Sequence, residues 1–234
     1  MEKPLYLEDN YMKEFDATVK EANGKFIVLD NTAFYPNSGG QPHDTGKFIK
    51  DGEEYNVIFT GKFSGNISHE VDKEGLKAGD KIKGVIDWER RYKLMRYHTA
   101  AHVVSAMIHN KTGALITGNQ KSEEKARIDF SLEEFDREAL LKDAEEANKY
   151  LGEDIEVKKY FMSKEDVMKD PSLIKLKDKM PPDVEEFRII EIADIDKQPC
   201  GGTHVDNLKE IPKIKATKAE NKGKQNRRVY FEFD

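Results

Sequence analysis

His98 and His102 stand four residues apart in RYHTAAHVV. On a helix that spacing puts both imidazoles on one face, one turn apart, where they can share a metal ion. Zinc proteases use the same geometry in HExxH, but here Thr99, Ala100 and Ala101 fill the gap, so the glutamate that would serve as general base is missing. About a hundred residues later, QPCGGTH places Cys200, the chain's sole thiol, four residues before His204. Gly201 and Gly202 are expected to let the backbone turn sharply behind the thiolate. A thiolate with three imidazoles is a zinc-type donor set. Four filled positions make a closed structural site, whereas catalysis requires an exchangeable position, and the sequence leaves both open. His109 lies about 10 Å along the helix axis from His102, too far to share an ion. His69 sits in a strand-like segment and reads as structural. His43 remains as a fifth imidazole, in FYPNSGGQPHDTG.

The elements that must position these side chains follow from periodicity. Residues 1–88 read as short strands separated by turns. EFDATVKEA and KFIVLDN flank Asn23-Gly24, a type I′ hairpin signal, and Asp51-Gly52 marks another turn. Such spacing predicts a small antiparallel β-barrel. From Glu89 the period changes: Leu94, Tyr97, Ala101, Val104 and Ile108 fall at helical steps, and the helix is expected to end at Gly113. SLEE has the form of a capping box and predicts a second helix from Ser131 to about Leu151. EDIEVKKYF and FRIIEIADID read as strands, and IPKIKATKAEN with RRVYFEF as a hairpin. The fold class is therefore α+β: a barrel domain over 1–88 and an α/β domain over 89–234 that carries the His/Cys donor set.

Of the 234 residues, 36% are charged and 37% hydrophobic, and the net charge is −6. No apolar run approaches the roughly 20 residues of a membrane span, which excludes an integral helical membrane protein and a membrane partner. A single cysteine excludes a disulfide scaffold and fits a reducing, cytoplasmic setting. The acidic balance argues against a nucleic-acid coat. Residues 209–228 nevertheless hold eight basic side chains against two acidic ones, a stretch able to meet phosphates.

DWERRYKLMRYHTAAHVV paired with CGGTHV resembles the editing domain of alanyl-tRNA synthetase and the free-standing AlaX proteins, and more distantly the editing domain of threonyl-tRNA synthetase. FYPNSGGQPHDTG resembles the glycine-rich motif in the barrel of the longer AlaX proteins, and the length suits their medium-sized class. The resemblance implies a trans-editing hydrolase that cleaves the ester of tRNA(Ala) mischarged with serine or glycine. It implies one Zn2+ per chain, held by His98, His102, Cys200 and His204. Thr117, in LITGNQ, becomes the candidate for recognising the serine hydroxyl, and Gly39, Gly40 and Gln41 for approaching the substrate. Arg90, Arg91, Arg96, Lys222, Lys224, Arg227 and Arg228 are candidate tRNA contacts. No general base is named, and the oligomeric state, monomer or homodimer, stays open. The alternatives are a zinc-stabilised RNA-binding module without chemistry, a GGQ-type peptidyl-tRNA hydrolase and a zinc peptidase.

Overall fold

Six strands close into an antiparallel barrel in the order β1-β2-β5-β4-β3-β6. They are β1 (Glu14–Asn23), β2 (Phe26–Leu29), β3 (Gly46–Lys50), β4 (Glu53–Phe63), β5 (Asn66–Val71) and β6 (Lys81–Ile86), after a one-turn helix α1 (Leu5–Glu8). The computed structural model describes residues 3–175 and 184–234. Alternate residues of each strand point inward, and Phe15, Val19, Ile27, Phe48, Val57 and Val71 fill the barrel. Phe34, from the β2–β3 connection, packs edge-to-face on Phe15 and Phe48. The first hairpin turns one residue later than its sequence signal. Its two-residue loop is Gly24-Lys25, and only Gly24 has a positive φ (+58°), so it is not the type I′ turn expected at Asn23-Gly24. Asp51-Gly52 does have two left-handed residues, at +50° and +84°.

The chain divides into two compact units, Met1–Leu94 and Met95–Asp234. The division falls inside the long helix α2 (Trp88–Thr112), which ends at Gly113 as expected, with φ +71°. Beyond the stripe read from the sequence, Met95, Ala100, Val103 and Ala106 are also buried. In the second unit this helix is therefore enclosed on more than one side.

That unit holds two antiparallel sheets. One has the order β12 (Ile214–Asn221), β13 (Arg227–Phe233), β8 (Ala126–Phe130), β7 (Ile116–Lys121). The other has the order β11 (Asp196–Pro199), β10 (Glu186–Ile192), β9 (Val157–Ser163). Helix α3 covers only Arg137–Glu145 and passes into a 3-10 turn over Glu146–Lys149. The expected capping box at Ser131 does not form, because the Ser131 hydroxyl accepts from the Leu115 N–H (2.9 Å). Asp136 caps the helix instead, accepting from the Ala139 N–H. Ser163 caps the short α4 (Lys164–Lys169) in the same way. Among the described residues, no helix is long and apolar enough to cross a membrane.

Candidate metal centre

Helix α2 delivers His98 and His102 from one face, and the end of β11 delivers Cys200, followed four residues later by His204. One ligating atom from each lies within 4.8 Å of all the others. Cys200 Sγ is 3.5 Å from His98 Nε2 and 3.3 Å from His204 Nε2. All three imidazoles are buried. Antiparallel pairing of β11 with β10 fixes the thiol, since the Cys200 N–H donates to the Arg188 carbonyl (2.9 Å).

The outer nitrogens of two rings are held by partners that set their tautomers. His102 Nδ1 lies 2.8 Å from Asp196 Oδ2 and donates to that carboxylate. Thr99 holds His204 by a less direct logic. Its hydroxyl donates to the Met95 carbonyl one turn back (3.0 Å), so the oxygen is left to accept from His204 Nδ1 (3.1 Å) and the Val205 N–H (3.2 Å). In their neutral forms both rings therefore present an Nε2 lone pair. Lone pairs and a thiolate that converge on one point repel each other unless a cation lies among them. The spacing fits a metal as well: Zn–S near 2.3 Å and Zn–N near 2.0–2.1 Å in a tetrahedron give S···N edges of about 3.5 Å. The residues present fit a metal ion such as zinc.

Electrostatics point the same way. Burial opposes the thiolate, yet His98 and His204, with hydrogen bonds from His102 and His204, bring the Cys200 thiol well below its usual range. Burial, aided by the nearby Lys121 ammonium, pushes His98 down to about 4, and burial with the charge of His98 lowers His204. These are the thiolate and neutral imidazoles that ligate metals. For His102, burial is outweighed by the Asp196 hydrogen bond and the Cys200 sulfur, which raise it to about 9. That extra proton, on the side facing the sulfur, is one a cation would displace. Burial also opposes the charge of Asp196, but His102, Lys175 and Gln198 hold it below the usual carboxylate range. Lys175 Nζ meets Asp196 Oδ1 at 2.5 Å, and Gln198 Nε2 meets Oδ2 at 2.8 Å.

Asp196 and Thr99 are the residues that sequence reading missed. Thr99 registered there only as the absence of a glutamate. Asp196 lies four residues before Cys200 in DKQPC, and a carboxylate that close to a ligand motif is a usable signal for a group orienting a ligand histidine.

The chain bends at Gly202, where the paired glycines predict a turn, and it does so without a left-handed φ at either Gly201 or Gly202. Gly39 and Gly40 do have left-handed φ, at +55° and +75°, and close a tight turn in which Ser38 and Gln41 exchange backbone hydrogen bonds. The Gln41 side chain is fully buried, so it is not presented as in a GGQ hydrolase loop. Thr117 sits in β7 at a bulge and donates to Asn226 Oδ1 (3.1 Å).

The basic candidates divide sharply. Arg91 is wholly buried: it ion-pairs with Asp44 and donates to the carbonyls of Asn10 (3.0 Å) and Ala33 (2.6 Å), so no phosphate reaches it. Arg227 is buried and spends its donors on the Glu133, Glu134 and Gly223 carbonyls and on Asn221. Arg228 forms a two-point pair with Asp129 (2.6 and 2.9 Å). Arg91 and Arg227 are thus enclosed by structural partners, while Arg228 is half-buried beside Asp129. Arg90, half-buried, reaches the His43 carbonyl, and Arg96 lies over the Phe233 ring. Lys222 and Lys224 are exposed in the β12–β13 loop. His43 engages the Ile58 carbonyl and the Phe59 ring. His109 bonds the Ala114 carbonyl, a packed role.

Two family models match the chain: "tRNA synthetases class II (A)" over residues 6–90, and "Threonyl and Alanyl tRNA synthetase second additional domain" over residues 187–230. Among similar proteins, the alanyl-tRNA editing protein AlaX-M of Methanosarcina barkeri is 49% identical over 99% of this chain and 98% of its own length. AlaX-M of Saccharolobus solfataricus is 44% identical over 99% and 98%. The alanine–tRNA ligase of Ignicoccus hospitalis is 36% identical over 90% of this chain, which corresponds to 24% of that protein.

Proposed function

This chain belongs to the AlaX-M family of alanyl-tRNA editing proteins and is thus an aminoacyl-tRNA deacylase, and we propose that it clears serine, and secondarily glycine, from mischarged tRNA(Ala) at the His98–His102–Cys200–His204 centre. The observation that carries this reading is the convergence of the four donors, with the outer nitrogens of His102 and His204 engaged elsewhere. One Zn2+ per chain is the proposed ion. When bound, it supplies a Lewis acid for the ester or its attacking water. Residues 1–88 are the proposed barrel domain and 89–234 the editing domain, working in the cytoplasm. The chain acts as a monomer or a homodimer.

The protein's own groups have separate tasks. Asp196, braced by Lys175 and Gln198, fixes the His102 ring, and Thr99 fixes His204. Thr117 supplies selectivity. Its hydroxyl proton is committed to Asn226, which leaves an oxygen lone pair to accept from the hydroxyl of a seryl group. Alanine and glycine have no such hydroxyl and leave that acceptor unmet, so this contact favours serine over both by a penalty that apolar contact alone does not match. Gly39 and Gly40, at an exposed turn, are the proposed approach of the barrel to substrate, and Arg90, Arg96, Lys222 and Lys224 the tRNA contacts.

The test is deacylation of Ser-tRNA(Ala), Gly-tRNA(Ala) and Ala-tRNA(Ala) by zinc-loaded protein. Loss of serine and glycine with alanine spared supports the reading. Intact esters on all three, with tight tRNA binding, assign the protein to the non-catalytic RNA-binding alternative.

A further inference from the structure

Ester hydrolysis needs a donor that stabilises the carbonyl oxygen as charge develops on it, and removing one such donor typically costs about 10²–10³-fold in kcat. The turn after Cys200 offers one. Arg188, buried on β10, sends Nη1 to the carbonyl oxygens of both Cys200 (3.2 Å) and Gly202 (2.7 Å). A trans peptide is planar, with its N–H antiparallel to its C=O. Drawing those two carbonyls toward the guanidinium therefore turns the N–H groups of Gly201 and Thr203 the other way. Gly201 is exposed, and its N–H meets no acceptor among the described residues. Its φ is not left-handed, and a Cβ built there would meet nothing within 4 Å. Neither backbone strain nor crowding among the described residues accounts for glycine at this position, and the space on its open side is free.

We propose that the Gly201 N–H is the oxyanion donor of the deacylation, presented by the Arg188 clamp, and that the bare Cα of Gly201 is the seat of the aminoacyl group. This rests on the deacylase reading above. In the step concerned, a water oxygen bonds to the ester carbonyl carbon and loses a proton, and the C=O π pair moves onto the carbonyl oxygen, where the Gly201 N–H meets it. Collapse of the tetrahedral species restores C=O and breaks the bond to the ribose oxygen. That oxygen takes up a proton and leaves as a hydroxyl of the terminal adenosine. One water is consumed and one free amino acid released. Arg188 touches no reacting atom and is a positioning residue.

Cys200 is the only cysteine of the chain, so the full-length protein can be assembled by joining residues 1–199, as a thioester, to a synthetic 200–234 peptide through that thiol. Glycolic acid in place of Gly201 replaces the 200–201 amide with an ester, which removes the N–H and keeps the open space. Gly201→Ala does the reverse. Against an all-amide ligated control, the ester protein should lose about 10²–10³-fold in kcat on Ser-tRNA(Ala), with KM, zinc content and melting midpoint held. Gly201→Ala should lose at least about tenfold in kcat/KM with the same zinc content, a loss of about 1.4 kcal/mol in transition-state binding. Arg188→Met should lower kcat more than it raises KM. An ester protein that keeps the control's kcat, folded and zinc-loaded, overturns the donor assignment, and a fully active Gly201→Ala overturns the seat. An all-amide control that leaves Ser-tRNA(Ala) intact overturns the proposal from beneath, through the deacylase reading itself.

Discussion

Each unit of the molecule buries histidine, and the two units treat it differently. In the barrel, His69 has both ring nitrogens engaged, one with the Thr32 hydroxyl (2.9 Å) and one with the Ile27 carbonyl (3.0 Å). Burial lowers it to about 4, and it functions as a polar core residue. In the second unit, His102 and His204 each give one nitrogen to a neighbouring side chain and aim the other at Cys200. The carboxylates divide the same way. Asp44 is saturated by Arg91 and the Tyr35 N–H, whereas Asp196, braced by Lys175 and Gln198, passes its influence through His102 to the cluster. A network closed on itself stabilises a fold. One that ends in a set of convergent lone pairs requires something from outside the chain.

Removing one member from each network separates the two roles. Cys200→Ala should abolish metal binding and lower deacylation at least about 10³-fold, a loss of about 4 kcal/mol, while circular dichroism keeps the signature of a folded protein. Metal analysis together with single-turnover rates checks this. In the barrel, Arg91→Met strands a buried carboxylate, and denaturant unfolding should show a loss of about 3–5 kcal/mol with unchanged zinc per folded chain.

Acid sharpens the contrast further. His69 stays neutral in the folded protein down to about pH 4, while the unfolded chain takes up that proton near 6.5. Its contribution is therefore fully present above pH 6.5 and is lost as the pH falls toward 4, by about 3 kcal/mol in all. Stability measured across that window should flatten by this amount in His69→Gln, with zinc content at neutral pH unaltered. The smallest effect is expected from Asp196→Asn, which keeps the shape and removes the charge behind His102. Competition with a chelator should show zinc held about 10–100-fold more weakly, at a nearly constant melting midpoint.

Much of this was legible in the sequence. The His98/His102 pair needed only a helix, and the turns at Asp51-Gly52 and Gly113 were marked by their glycines. Other features depended on contacts that local pattern does not show. Ser131 loses its capping role to an N–H from Leu115, sixteen residues back in the chain. Arg91 reads in the sequence as a candidate tRNA contact, although it stands three residues before Leu94 and so continues the buried stripe. Arg227 likewise alternates with Val229 and Phe231, both buried, and Arg228 lies directly across from Asp129 in the β13–β8 register. For Arg91 and Arg227 the period is in the sequence and the charge of the side chain conceals it, whereas the partner of Arg228 depends on strand register. Asp196 and Thr99 were harder, because their roles exist only once β11 and the Cys200–His204 turn fold back against α2.

X-ray absorption at the zinc edge of the purified, zinc-loaded protein tests the account most directly. Convergent donors predict one zinc per chain, with a single sulfur near 2.3 Å and three nitrogens near 2.0–2.1 Å, the sulfur signal vanishing in Cys200→Ala. A shell of nitrogen and oxygen alone, or no zinc retained at micromolar metal, would contradict it and leave the four side chains as a buried polar cluster of the kind that His69 already represents.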